Sequence, residues 1–274
     1  MKDFMEIFLF TTNVDLARRA QAAGVYSLIV DWETLGKDRR QRGFDLETNK
    51  QTADDVTRLV QAVQLPVTVR INGLNPRTAE EVDRALSCGA KILMLPMAKS
   101  VEEVGTFLRI VGHRARTIIQ VETPQLADDV GNLKTLDWDY AYIGLNDLMV
   151  ARGGHSIWEA LLDGLAQKIC HSLQGRRYGF GGCTVLGGGR PIINILILHE
   201  LIRLGGSIAL LRRTFKNEIL DRDLAVEIKA LQSFLIASRQ RGPKARAYDH
   251  EYLRRWIKTS IDFNSPYEIS VRST

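Results

Sequence analysis

A chain of 274 residues, 45% hydrophobic and 25% charged, has the composition of an ordinary soluble globular protein and about the length of a (β/α)₈ barrel. Its 37 basic residues are interspersed with 32 acidic ones, so the net charge of +5 marks a solvated surface or a small-anion site, not a nucleic-acid-binding face. Three cysteines with no CxxC pair exclude a disulfide framework and fit a reducing, cytoplasmic setting.

The opening "MKDFMEIFLFTT" holds an apolar run too short and interrupted for a signal sequence. Within it "EIFLFT" (6–11) is the first of eight predicted strands, short apolar runs of the kind buried on both faces. "NVDLARRAQAAG" follows as a helix from a capping Asn13 to Gly24, then the strand "SLIVDWE" (27–33). The loop "GKDRRQRGFD" (36–45) carries Arg39, Arg40 and Arg42, which could hold the phosphates of a CoA ester or phosphorylated sugar acid, or simply be solvated. "PVTVRIN" (66–72), a helix from Thr78 to Gly89, "KILMLPM" (91–97) and a helix from Ser100 to Gly112 continue the alternation.

Four more strands are predicted: "RTIIQVET" (116–123), "YAYIGLND" (140–147), "YGFGGCTV" (178–185) and "SIALLRRTF" (207–215). Between the last two, "GFGGCTVLGGGRP" (179–191) leads to a helix expected near Pro191; its glycines could admit an anion to backbone N–H groups or serve only the turn. The apolar "PIINILILHELIRL" is too short and too charged, with His199, Glu200 and Arg203, to cross a membrane. A final helix is expected near 221–240.

Eight strand–helix units predict a single closed parallel barrel over residues 1–240. An open doubly wound sheet is the alternative, though no GxGxxG follows the first strand. Residues 241–274 fall outside the repeat as a C-terminal extension; "YDHEYLRRWIKTS" could add a helix packed on the barrel or on a neighbouring subunit, or form a tail.

Barrel sites lie at the C-terminal ends of strands, where side chains alternate faces. Asp31 and Glu33 share one parity, as do Arg70 and Asn72, and Gln120 and Glu122; Asp147 extends the face of Ile143 and Leu145. Glu122 and Asp147 would come from adjacent strands and could reach one cation, and two carboxylates suit Mg²⁺ or Mn²⁺. Helix capping or arginine pairing would also explain either acid alone. Cys183 on a buried strand reads as a small core residue, His155 as a surface or packing residue, and His199 as core or interface.

With these residues in view, "GAKILMLPM", "IIQVETP" and "IGLNDL", preceded in order by "LIVDWE" and "VRIN", resemble the metal-dependent class II pyruvate aldolase and citrate lyase β-subunit family. The resemblance spans about residues 5 to 215. It implies a phosphoenolpyruvate/pyruvate-type barrel with Glu122 and Asp147 on the metal, Arg70 on the substrate carbonyl oxygen and Gln120 beside the keto acid. Asp31 and Glu33 match acidic positions of the family. Thr34 departs from it, standing where the keto-acid branch has a proton-transferring histidine and the citrate-lyase-like branch an acid.

These parts would support carbon–carbon lyase chemistry on a 2-keto acid through a pyruvate-like enolate, Arg70 facing the oxygen that gains charge. The base is left among Asp31, Glu33 and a metal-bound water. The alternatives are an acyl-CoA ester lyase and a barrel that binds a keto acid or phosphosugar without turnover. The resemblance also implies a homo-oligomer, a trimer or hexamer; the sequence itself, with no nucleic-acid recognition module and no membrane span, leads to no expectation of a nucleic-acid or membrane partner.

Overall fold

The computed structural model describes residues 4–36, 51–212 and 214–263, without the side chains of 262 and 263. Its strands are β1 (Glu6–Phe10), β2 (Ser27–Asp31), β3 (Val67–Arg70), β4 (Ile92–Leu95), β5 (Arg116–Val121), β6 (Tyr140–Ile143), β7 (Arg177–Phe180) and β8 (Ile208–Leu211). From β1 to β7 each strand pairs in parallel with the next, and β8 pairs with β1. The seam between β7 and β8 is drawn together by a parallel bridge between Cys183 and Leu211. There the N–H groups of Ser207 and Arg212 donate to the carbonyls of Tyr178 and Cys183, each at 2.8 Å. The sheet is therefore a nearly closed barrel, and the open doubly wound alternative falls away.

The first helices are α1 (Val14–Ala22), α2 (Ala53–Ala62), α3 (Thr78–Ser87), α4 (Val101–Val111) and α5 (Pro124–Asp128). After a 3₁₀ turn at Val130–Thr135 come α6 (Leu145–Ala151), α7 (Glu159–Leu162), α8 (Leu165–Ser172) and α9 (Asn194–Arg203). The last are α10 (Phe215–Glu218), α11 (Leu224–Arg239) and α12 (Pro243–Phe263). None of the described helices is long and apolar enough to cross a membrane.

The caps read from the sequence act as such. Asn13 accepts the Leu16 N–H at 2.8 Å, Ser100 accepts that of Glu103 at 3.2 Å, and Gly112 ends α4 in the left-handed region. Strand ends differ from expectation, because residues predicted as the tips of strands have already left the ladder. Helix α9 begins at Asn194, not at Pro191.

The pleat decides what fills the barrel. Phe8, Ile29, Met94, Ile118, Tyr140 and Leu210 belong to one buried cluster inside it, and the next residues of the same parity reach the C-terminal mouth. Opposite the mouth, the hydroxyls of Tyr26 and Tyr140 meet at 2.8 Å, and Arg177 bridges Tyr140 to Glu6. That polar plug closes the end of a barrel associated with stability.

Helix α12 lies on the outer layer. Leu253 and Ile257 are buried, Arg254 donates to the Leu162 carbonyl at 2.8 Å, and Trp256 to that of Pro191 at 3.0 Å. Glu200 of α9, 2% exposed, accepts two bonds from Arg203 and one contact from His250 Nδ1 of α12 at 3.0 Å. Burial opposes its charge, but the Arg203 and His250 bonds outweigh that and hold the carboxyl below its usual range. A depressed carboxylate contributes stability above the unfolded value of about 4.3, and that contribution is lost as pH falls through the folded one. Urea midpoints should accordingly drop in acid, and the drop should be shallower in Glu200→Gln; equal slopes would show that this clamp does not link α9 to α12.

Candidate active site

A cavity of about 230 Å³ opens at the C-terminal mouth. Asp31, Glu33, Arg70, Gln120, Glu122 and Asp147 all line it. The volume suits a small metabolite.

Asp31 and Arg70 sit opposite each other in the β2–β3 register. Arg70 grips Asp31 as a fork, Nε to Oδ1 at 2.9 Å and Nη2 to Oδ2 at 2.7 Å, with Glu33 Oε2 3.4 Å from Nη2. The Phe10 ring centroid lies 5.4 Å from the guanidinium carbon. Burial opposes the Arg70 charge, but Asp31 and Glu33 outweigh it and raise the pKa further, so the guanidinium stays charged.

Glu122 stands one residue beyond β5 because the chain turns there. Thr123 caps α5, accepting the Leu126 N–H at 3.3 Å and donating to the Ala98 carbonyl at 2.6 Å, and Pro124 occupies the first turn. The carboxylate accepts the Met97 N–H at 2.9 Å on Oε1 and Gln120 Nε2 at 2.9 Å on Oε2. Met97 has φ of 57°, an uncommon conformation for a residue with a side chain. Glycine is required at 144, where a Cβ would collide with the Glu122 carboxylate.

Asp147 is not on a strand. β6 stops at Ile143, Gly144 is the cap, and Asp147 lies in the first turn of α6. The alternation Ile143–Leu145–Asp147 concealed a helical pattern in which Leu145, Leu148 and Met149 are the buried positions. Asp147 still reaches the cavity, from a helix instead of a strand.

Burial first, then the charges of Asp147 and Glu33, push the Glu122 carboxyl well above its usual range, against the lowering effects of Arg70 and the Met97 N–H. Such crowding of acids is the local condition that a divalent cation relieves. A second sign is Gln120 Oε1, buried and without a hydrogen-bond partner. Among the described residues no three His, Cys, Asp or Glu side chains gather as a ligand set. Glu122 and Asp147 would leave positions for water and substrate oxygens, as Mg²⁺ and Mn²⁺ prefer. The residues present fit such an ion.

Other expected residues lie elsewhere. Asn72 does not line the cavity; it accepts the N–H groups of Thr34 and Leu35, each at 2.8 Å, and donates to Glu81, tying the turn after β2 to α3. Thr34 is exposed and held by that turn. His155 is exposed, and His199 is packed edge-on to Phe234. Cys183 is fully buried, its thiol pushed up to about 12 by burial. The 179–191 loop closes on itself: Asn194 donates to the Thr184 carbonyl and accepts its N–H, and its own N–H donates to Gly188. Of its glycines, 181 and 182 reach the cavity. Arg39, Arg40 and Arg42 lie outside the described residues.

Several cavity residues had not been singled out from the sequence. Tyr142 follows Tyr140 in inward parity, and burial, followed by the Glu122 charge, raises its pKa so that it stays a neutral phenol. Arg212 and Lys216 line the β8 side. Polar residues just past "SIALL" were the available signal.

No family model matches the sequence, and no curated protein matches it. The crystal structure of RipC from Yersinia pestis is similar in fold, with a TM-score of 0.54 over 89% of this chain and 99% of that one. At 17% sequence identity, the likeness speaks to the barrel alone.

Proposed function

We propose that this chain is a carbon–carbon lyase of the class II aldolase kind, acting on a 2-keto acid through a pyruvate-like enolate with the help of Mg²⁺ or Mn²⁺. The observation that carries the reading is a partly buried, permanently charged guanidinium in the same small cavity as an overcrowded pair, Glu122 and Asp147. When bound, the ion would supply Lewis-acid polarisation of the keto oxygen.

The chain's own residues would do the rest. Asp31 engages Nε and Nη2 of Arg70, which orients the guanidinium and leaves its Nη1 donors for the oxygen on which enolate charge develops. The amide of Gln120 would hold the acid beside Glu122. Both Asp31 oxygens accept from Arg70, which suits an orienting role; the base we propose is drawn from Glu33, which also contacts Arg70, and a metal-bound water. Phe10, Ile157 and Leu210 form apolar walls that keep water from the carbanion.

Pyruvate incubated with the protein in D₂O should exchange its methyl protons, and 4-hydroxy-2-keto acids should release pyruvate. Both reactions should stop on chelation of divalent metal and resume on adding Mg²⁺ or Mn²⁺. Absence of both reactions with either metal would overturn the proposal.

A further inference from the structure

Tyrosine hydroxyls packed in the barrel have partners, with one exception. Those of Tyr26 and Tyr140 meet at 2.8 Å, and that of Tyr178 donates to the Leu204 carbonyl at 2.6 Å. Tyr142 of β6 lines the active-site cavity, and among the described residues its hydroxyl makes no hydrogen bond. Nor is that oxygen sealed away from solvent, so it opens on the cavity. A phenol so placed ordinarily has a partner for its O–H.

The strand register fixes where the phenol stands. Tyr142 pairs with Gln120 on one side and with Gly179 on the other, so its ring rises from the inner face of β6 between them. Gly181, two residues past Gly179, also lines the cavity, and a Cβ there would strike the Tyr142 hydroxyl. The hydroxyl therefore leans toward the β7 side, where a glycine leaves room for it. Arg70 ends β3, four strands from β7 in a barrel of eight, which puts guanidinium and phenol on opposite sides of the mouth. Gln120 and Glu122 stand between them, at the end of β5. Burial and the Glu122 charge keep the phenol neutral, hence a donor.

With the keto oxygen at Arg70 and the acid beside Gln120, the carbon chain of a 2-keto acid runs on toward β6 and β7. We infer that the Tyr142 hydroxyl donates a hydrogen bond to an oxygen on C4 of the substrate, and so selects 4-hydroxy-2-keto acids over acids that lack this oxygen. The inference rests on the keto-acid reading of the head group and adds which oxygen the far side of the cavity recognises. In cleavage the base takes the C4 hydroxyl proton, the C3–C4 electron pair becomes the enolate, and C4 becomes a carbonyl. Tyr142 keeps its own proton throughout and meets the C4 oxygen while it carries negative charge. A site built to hydrogen-bond a substrate hydroxyl discriminates against the analogue without one.

Tyr142→Phe removes a single oxygen atom. With Mg²⁺ present, kcat/KM for pyruvate release from 4-hydroxy-2-oxopentanoate should fall at least about tenfold, the worth of one hydrogen bond in the transition state. Exchange of the pyruvate methyl protons in D₂O needs no C4 oxygen and should keep its rate, and 2-oxopentanoate should inhibit both proteins equally. Gly181→Ala, which crowds the hydroxyl, should reproduce the selective loss and add little to it in Tyr142→Phe; it also decides the matter should Tyr142→Phe fail to fold. Equal loss of both reactions, or loss of neither, overturns the assignment. So does a Mg²⁺-induced rise in melting temperature that Tyr142→Phe abolishes, since the phenol would then serve the ion. A wild type that neither releases pyruvate nor exchanges its protons overturns the keto-acid reading and this role with it, whereas an active wild type with an unselective variant overturns this role alone.

Discussion

Glu122→Gln and Asp147→Asn are each expected to take metal-dependent turnover down to background, and the Glu122 variant should do so without destabilising the metal-free protein. The Glu122 carboxylate is 2% exposed and already opposed by burial and by the charges of Asp147 and Glu33, so a neutral amide of the same shape relieves that repulsion. Its oxygen can still accept the Met97 N–H. Mg²⁺ at about 100 times its dissociation constant stabilises a protein that binds it by about 2.7 kcal/mol. The wild type should show a matching rise in melting temperature, and both variants should lose it. Two variants that keep metal-dependent rates and the metal-induced shift would remove Glu122 and Asp147 from the ion.

The barrel was legible because its strands obey one rule throughout: apolar runs buried on both faces, separated by capped amphipathic helices. The inward parity was legible too, since Ile118, Gln120 and Glu122 follow each other at spacing two, and the last two line the cavity. The sequence misled where the chain leaves the ladder. Period two carried Asp147 onto a strand, although Gly144 ends β6 and the following apolar residues are helical. The same extrapolation brought Asn72 to the mouth, whereas β3 ends at Arg70 and Asn72 instead accepts the N–H groups of Thr34 and Leu35, holding the turn after β2. Met97 could not be found in this way, because its contribution is a backbone N–H directed by a positive φ. Arg212 and Lys216 were missed for a third reason. A basic residue after a strand has many ordinary uses, and only the fold shows that these two share a cavity with four acids.

Arg70→Lys should lower kcat by about 10²–10³ while the protein still folds, because a lysine keeps a charge but loses the fork that orients it. Arg70→Leu is the harsher change: Asp31 and Glu33, 7% and 4% exposed, would lose the guanidinium they contact, and breaking a buried pair from one side costs about 3–5 kcal/mol. Loss of activity in that variant alone would not separate a chemical role from a scaffolding one. Combining it with Asp31→Asn does, since removing both partners of the fork relieves much of the buried charge that either single change exposes. The double variant should recover most of the melting temperature and none of the turnover. Recovery of pyruvate proton exchange along with stability would reduce Arg70 to a brace for the β2–β3 mouth, and the developing oxygen charge would have to be met by another group.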